Sequence, residues 1–319
     1  MNLYSKDIPA ASVEAMKRTG RFARSILLTG ERGVGKKVFA DYIAMTLLCE
    51  TGNACGECRH CKRILSGTHP DVIKPEKSGK KMIYNRETIR GICTDAYVAP
   101  NDCEAKIYIF TDCESIEEAT QNLMLKLIEE PPESVYFIFT AVNRGVFLPT
   151  ILSRVITIGI PECTEDDCRA ALADTGSYTP EQIEDAVRHF HGNIGSCMDY
   201  LAGVEAAENV LHCKRIIAAI TEADEYGLLT ALAGIGEDRA RIRRVLELTD
   251  KVIRDACIMR LGTSRLIGCD PEGAERLSQT ISRKRADTIH EAISRTIARC
   301  SGTINVPPEM SAFAASVIN

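Results

Sequence analysis

Hydrophobic and polar positions change their period along this chain, and the change divides it. Up to about residue 160, short unbroken apolar runs alternate with stretches whose apolar residues recur every three or four positions. The runs predict strands at 25–29, 69–73, 107–110, 135–140 and 155–160, and the periodic stretches predict helices over 6–24, 38–49, 85–96 and 116–130. Ile8, Val13 and Met16 are the expected anchors of the first helix, Gly79 and Lys80 mark a turn, and Pro131-Pro132 stops the fourth helix. Such alternation makes a parallel α/β sheet with ligands at the strand C-termini. Beyond 160 only helical periodicity remains. Thr164 caps a helix through Ala173, and Thr179-Pro180 opens another through Phe190, with proline at the first helical position. A third follows Gly195, and further helices are expected over 206–221, 225–233, 238–261, 271–285, 286–300 and 309–318.

Composition narrows the class. With 319 residues and 45% hydrophobic content, the chain can build two or three cores. No apolar run approaches the ~18 residues of a membrane span, and the first nine residues lack a signal-peptide pattern. A net charge of −5 argues against gripping nucleic acid over the whole surface. The fourteen cysteines read as reduced buried residues or metal ligands, so the expectation is a cytoplasmic protein without membrane contact.

Candidate chemistry begins at Ser25, where an apolar run meets Gly30, Gly33, Gly35 and Lys36 and then a helix. Strand, G-x-x-x-x-G-K turn and helix is the setting of a P-loop, in which amides and a helix N-terminus cradle phosphates and the lysine reaches the outer ones. A plain glycine turn in an α/β domain is the alternative. Position 37, where a P-loop places a Ser or Thr hydroxyl on Mg²⁺, holds Lys37. ATP or ADP is the ligand such a cradle implies, bound weakly or without hydrolysis.

Cys49, Cys55, Cys58 and Cys61 fall within 13 residues, where even spacing of the chain's cysteines predicts about 0.6. Four thiolates at these spacings can gather a tetrahedral structural Zn²⁺ over 49–61, with His60 as a substitute ligand. Redox chemistry of a C-x-x-C pair is the rival, and it needs no third or fourth cysteine.

The run Asn122-Leu-Met-Leu-Lys-Leu-Ile-Glu-Glu-Pro-Pro132, then Thr150-Ile-Leu-Ser-Arg154, the four cysteines and His69-Pro70-Asp71 together resemble the bacterial clamp-loader branch of the AAA+ family. The resemblance covers 25–160 in order and extends more loosely to the C-terminus. It implies an AAA+ domain over 1–160 with an inserted zinc module, a three-helix lid over 161–203 that closes on nucleotide, and a helical collar over 204–319 through which five subunits form a ring. Aligned on Asn122, the family's metal-binding Asp falls on Thr111, its catalytic Glu on Asp112, its sensor Thr or Asn on Ala141, and its sensor Arg motif on Gly192-Asn193-Ile194-Gly195. With Lys37, each change removes part of phosphoryl transfer: metal ligation, water activation or charge stabilisation. The zinc module also departs from the family, with five rather than eight residues between its first two cysteines.

Ser153-Arg154 is kept, with Val155 in place of the usual Cys. The resemblance implies a guanidinium offered in trans to ATP on a neighbouring subunit; the alternative is a structural Arg closing a strand or bridging to a carboxylate. The implied protein is a largely ATPase-inactive scaffold of the clamp loader, with tau/gamma-type motor subunits, the delta subunit, the sliding clamp and primed DNA as partners. A working motor ATPase that tolerates Lys37 and Asp112 is the competing reading. The basic runs Arg241-Ile-Arg-Arg244 and Arg283-Lys-Arg285 read as solvated helix faces, with DNA contact as the alternative.

Overall fold

The computed structural model describes residues 3–77, 83–262, 266–300 and 305–318; the turn expected at Gly79 and Lys80 lies outside them. The chain divides into two compact units, Met1–Asp167 and Cys168–Asn319.

In the first unit β1 (Ser25–Thr29), β2 (Val72–Ile73), β3 (Lys106–Phe110), β4 (Val135–Ala141) and β5 (Ile156–Gly159) form one parallel sheet in the order β2-β3-β4-β1-β5. Successive side chains leave a strand on opposite faces, so an unbroken apolar run supplies two cores at once. Ile26, Leu28, Ile107, Ile109 and Ile138 pack with α1 (Asp7–Arg18), α2 (Lys36–Leu48) and α3 (Arg59–Leu65). Leu27, Tyr108, Phe110, Phe137 and Phe139 pack with α4 (Arg86–Asp95), α5 (Glu118–Glu129) and α6 (Pro149–Leu152). On that second face the rings of Tyr108 and Phe137 stack at 5.4 Å and those of Phe110 and Phe139 at 5.2 Å. Truncating one such buried ring costs about 3–5 kcal/mol.

Three local expectations change. The second strand keeps only Val72 and Ile73: the Asp71 amide is taken by the His69 ring and the Asp71 carboxylate by the loop at 101–103. Ile8 is 83% exposed while Val13 is fully buried, so α1 is anchored through Val13 and not through Ile8. A 3₁₀ turn at Cys113–Ser115 precedes α5, which therefore starts at Glu118 and not at 116.

From α7 (Glu165–Ala173) onward the described residues form helices alone: α8 (Pro180–Phe190), α9 (Ile194–Ala202), α10 (Val204–Glu222), α11 (Glu225–Ala233), α12 (Arg239–Met259), α13 (Pro271–Thr280), α14 (Arg283–Cys300) and α15 (Val306–Ile318). The expected α/β P-loop architecture followed by an all-helical region is thus present. Thr179 and Gln182 form a capping box at α8. Cys168, Leu172, Ile183, Ala186, Val187 and Cys197 make a small core, and a larger one runs through Ile216, Leu246, Val252, Ile289 and Phe313. The break expected after residue 285 falls earlier, at 281–282. Ile281 is extended and buried, and the Ser282 hydroxyl accepts the Arg285 amide, so α14 begins at Arg283.

Candidate functional site

The glycines earn their places at the C-terminal end of β1. Gly30 has φ +151°, and a Cβ there would sit 2.4 Å from the Ile160 carbonyl oxygen, so β5 can close on the loop only over a glycine. Gly33 and Gly35 both have positive φ, and left-handed Gly35 leads directly into α2, the alternation that turns successive amides toward one anion. Lys36 is buried, and its Nζ donates to the carbonyls of Gly30 (2.7 Å) and Glu31 (2.8 Å). Burial lowers its pKa, opposed by the carboxylates of Glu114, Asp112 and Glu31. A cavity of about 550 Å³ beside the loop is lined by Ile8, Pro9, Thr29, Gly30, Gly159 and Ile160, which gives exposed Ile8 its place as a cavity wall.

The ends of β3 and β4 face this loop with altered side chains. Thr111 is fixed through its backbone: its amide donates to the Tyr84 hydroxyl (2.7 Å), which donates back to the Thr111 carbonyl (2.8 Å). Asp112 adopts left-handed φ +50°, ψ +61°, its amide donating to the Thr140 hydroxyl (2.8 Å) and its carbonyl accepting from Lys77 Nζ (2.6 Å). Its carboxylate lies 2.6 Å from Lys37 Nζ. Glu114 accepts the Val142 amide (2.7 Å), and Ala141 is fully buried, offering no polar side chain. Two positions read separately from the sequence are therefore partners. With Lys37 59% and Asp112 32% exposed, their pair adds about 0–1 kcal/mol. Tyr84, Thr140 and Lys77 were not foreseen, since no spacing in the chain links them to Asp112.

These residues do not fit Mg²⁺. The ion asks for oxygens at about 2.0–2.1 Å in octahedral array. Here the position at which the resemblance expects a metal-binding carboxylate is Thr111, the position that ordinarily offers a hydroxyl is Lys37, and the next carboxylate, Asp112, is bonded to the Lys37 ammonium.

Arg154, just beyond α6, donates to the Thr150 carbonyl (2.7 Å) and the Ser153 hydroxyl (3.0 Å), and pairs with Glu129 of α5 at 2.8 Å. The carboxylate bridge weighed from the sequence exists. It is a surface pair, 39% and 41% exposed, of about 0.2–1 kcal/mol, and so easily exchanged for another anion.

The four cysteines converge. All four sulfurs lie within 4.8 Å of one another, with Cys49–Cys55 at 3.6 Å, Cys55–Cys61 at 4.0 Å and Cys49–Cys58 at 4.0 Å. Four sulfurs about 2.3 Å from one tetrahedral ion stand about 3.8 Å apart, so the set fits zinc. Backbone amides point at the sulfurs: Cys55 to Cys49 (3.4 Å), Cys58 to Cys55 (3.3 Å) and Cys61 to Cys58 (3.5 Å). The amide of Cys58 helps hold the Cys55 thiol below its ordinary pKa.

His60 lies in a different cluster. Its Nδ1 is 3.0 Å from His69 Nε2 and 3.3 Å from Cys103 Sγ. Two histidines and a cysteine this close invite a second metal, but the His69 tautomer speaks against it. His69 Nδ1 accepts the Asp71 amide (3.1 Å), which puts the ring proton on Nε2, the atom a metal would need bare. Burial, followed by the nearby His60, lowers the His69 pKa and keeps that ring neutral. Asp71 itself is fully buried. Its carboxylate accepts the amides of Asn101 (2.6 Å), Asp102 (2.7 Å) and Cys103 (3.0 Å) and the Asn101 side chain (3.0 Å). Burial pushes its pKa up and these donors more than reverse that, leaving it below the usual carboxylate range. The His-Pro-Asp motif thus fastens the loop at 101–103 beside the cysteine module.

In the helical unit, Arg241 binds Glu208 (2.6 Å) and Asn209 (3.0 Å), and Arg244 binds Glu205 (2.5 Å), so these cations are engaged within the chain. Asn193 caps α9 by accepting the Ser196 amide (3.0 Å), a structural use of the segment where the sensor Arg is missing. Among the described residues no helix is long and apolar enough to cross a membrane.

Similarity to known proteins is concentrated in the α/β unit. The family described as "DNA polymerase III, delta subunit" matches residues 8–164. The chain is similar to DNA polymerase III subunit gamma of Buchnera aphidicola, 28% identical over 57% of this chain and 52% of that protein. It is also similar to subunit delta' of Yersinia pestis, 32% identical over 48% of this chain and 46% of that one, and to subunit tau of Escherichia coli, 32% identical over 48% and 24%. The chain thus spans about half or less of the length of these curated relatives.

Proposed function

We propose, for a chain whose residues 8–164 belong with the clamp-loader subunits of bacterial DNA polymerase III, that it acts as a delta-prime-like subunit of that loader in DNA replication. It hydrolyses little or no ATP. It serves as a rigid scaffold that lends Arg154 to ATP held by an adjacent tau/gamma-type motor, beside a delta subunit, while the assembly loads the sliding clamp onto primed DNA. Residues 161–203 act as a lid with a weakened grip and 204–319 as the collar of the ring. Zinc on Cys49, Cys55, Cys58 and Cys61 is a structural cofactor holding the module at 49–61.

The observation that carries the reading is the contrast between Lys37 bonded to Asp112, where a motor needs a metal and a base, and Arg154, whose one carboxylate partner among the described residues is Glu129 in an exposed, exchangeable pair. Replacing a guanidinium that acts in trans can cost ~10³–10⁵ in rate. Arg154→Ala should therefore lower the DNA-stimulated ATPase of the reconstituted loader by about 10³ or more at the affected site, with assembly by gel filtration unchanged. Unchanged turnover would remove the assignment.

A motor of the gamma or tau kind is the second reading, favoured by the similar identity to both kinds of relative. Steady Mg²⁺-dependent turnover by the isolated chain, abolished by Lys36→Ala, would establish it instead.

A further inference from the structure

The misfit with Mg²⁺ has a constructive side. The cradle carries a cation, Lys37, on the residue that ordinarily supplies a hydroxyl to the ion. Lys37 is the second residue of α2, immediately after Lys36, whose Nζ donates to the Gly30 and Glu31 carbonyls, and its own Nζ stands 2.6 Å from the Asp112 carboxylate just beyond β3. A positive charge thus stands on the residue that in a P-loop bears the metal-binding hydroxyl, bonded to the carboxylate one residue after the position expected to hold the metal-binding Asp. A second ammonium, Lys77, is fastened to the Asp112 carbonyl at 2.6 Å and lies over the Tyr84 ring at 5.3 Å. The carboxylates acting on Lys36 are Glu114, Asp112 and Glu31, of which Asp112 is bonded to Lys37 and Glu114 is directed to the Val142 amide. A divalent ion about 2.1 Å from the same Asp112 oxygen would have to displace the ammonium, so the two cations compete for one place. Lys37 is largely exposed and can lean from Asp112 toward an incoming phosphate without disturbing the core.

We propose that the cradle binds nucleoside triphosphate as the metal-free polyanion, with Lys37 as the specificity-determining cation in place of Mg²⁺. Selection of this form rests on the reading of an ATPase-inactive subunit, because a cation that carries no water cannot position one for attack. Magnesium then works against binding, since it neutralises the ligand while Lys37 keeps the metal position. The cradle serves as a static, metal-independent brace.

The test uses the full zinc-loaded chain and a fluorescent, non-hydrolysable ATP analogue, titrated in buffer with Mg²⁺ and in buffer with a chelator selective for Mg²⁺ over the tightly held structural metal. The wild-type chain should bind equally well or more tightly without Mg²⁺. Lys37→Ala should lose about tenfold in affinity in the Mg²⁺-free buffer. Lys37→Thr, which restores the hydroxyl, should bind at least tenfold more tightly with Mg²⁺ than without. Thermal melting of both variants checks that the fold is kept. Wild-type affinity that rises tenfold on adding Mg²⁺ overturns the proposal, and so does an absence of binding in both buffers. Absence of binding leaves the scaffold reading standing, since Arg154 is judged on the neighbour's turnover. Mg²⁺-dependent binding accompanied by turnover overturns both.

Discussion

The cysteine module and the phosphate cradle lie in the same α/β unit, and each has the spacing of a ligand-binding motif, yet their side chains are arranged in opposite ways. The four sulfurs at the module lie within 4.8 Å of one another, three of their pairs at 3.6–4.0 Å, a spacing that suits one tetrahedral ion. At the cradle Gly30, Gly33 and Gly35 have the positive φ angles of the loop, while Lys37 stands where a metal-binding hydroxyl is expected and is bonded to Asp112. The contrast teaches that a motif's backbone and its chemistry are separable. Glycine geometry persists because β5 packs on Gly30. Side-chain chemistry at an exposed rim can change at almost no cost in stability.

The largest effect expected from this contrast lies at the module. Cys61→Ser, or chelation strong enough to strip the module, should release one equivalent of zinc and remove metal-binding free energy on the order of 10 kcal/mol. Hydrogen exchange should then show loss of protection over 49–65 while β3 and β4 stay protected. Retained protection without metal would mean that the module folds on its own apolar contacts.

Next comes the buried anchor beside it. Asp71→Ala leaves four part-buried hydrogen bonds without their acceptor and should cost about 1–3 kcal/mol in denaturant unfolding. Its acid dependence has a definite sign. A carboxyl whose folded pKa lies below the unfolded value stabilises fully above that unfolded value, about 3.9, and loses the contribution as pH falls through the lower folded one. The stability gap between wild type and Asp71→Asn should therefore be constant from neutral pH to about 4 and shrink below it.

The smallest effect belongs to the cradle. Lys37→Ala should change stability by less than about 1 kcal/mol, because the pair it breaks is exposed. A loss of several kcal/mol would show that Lys37 is a structural strut, and the comparison between an essential module and a tolerant rim would fail. Between these extremes, Thr140→Val removes the hydroxyl that accepts the Asp112 amide and should cost about 1 kcal/mol without loss of zinc.

Much of this was legible along the chain. Unbroken apolar runs demanded a sheet covered on both faces, the glycine spacing demanded a cradle, and the helical period beyond residue 160 left no room for strands, because each pattern is a local consequence of backbone geometry. The cysteine cluster was legible for the same reason: its four ligands sit within 13 residues. Tertiary structure alone decided the partnerships across the sheet. Lys37 with Asp112, Arg154 with Glu129, Tyr84 with Thr111 and Asp71 with the loop at 101–103 join residues 25 to 75 positions apart that only the packing of strands and helices brings into range. It likewise placed His60 with His69 and Cys103, where one backbone amide fixes the tautomer. Periodicity shows which face a residue occupies; hydrogen-bond distance and burial, which set its chemistry, exist only once the chain has closed on itself.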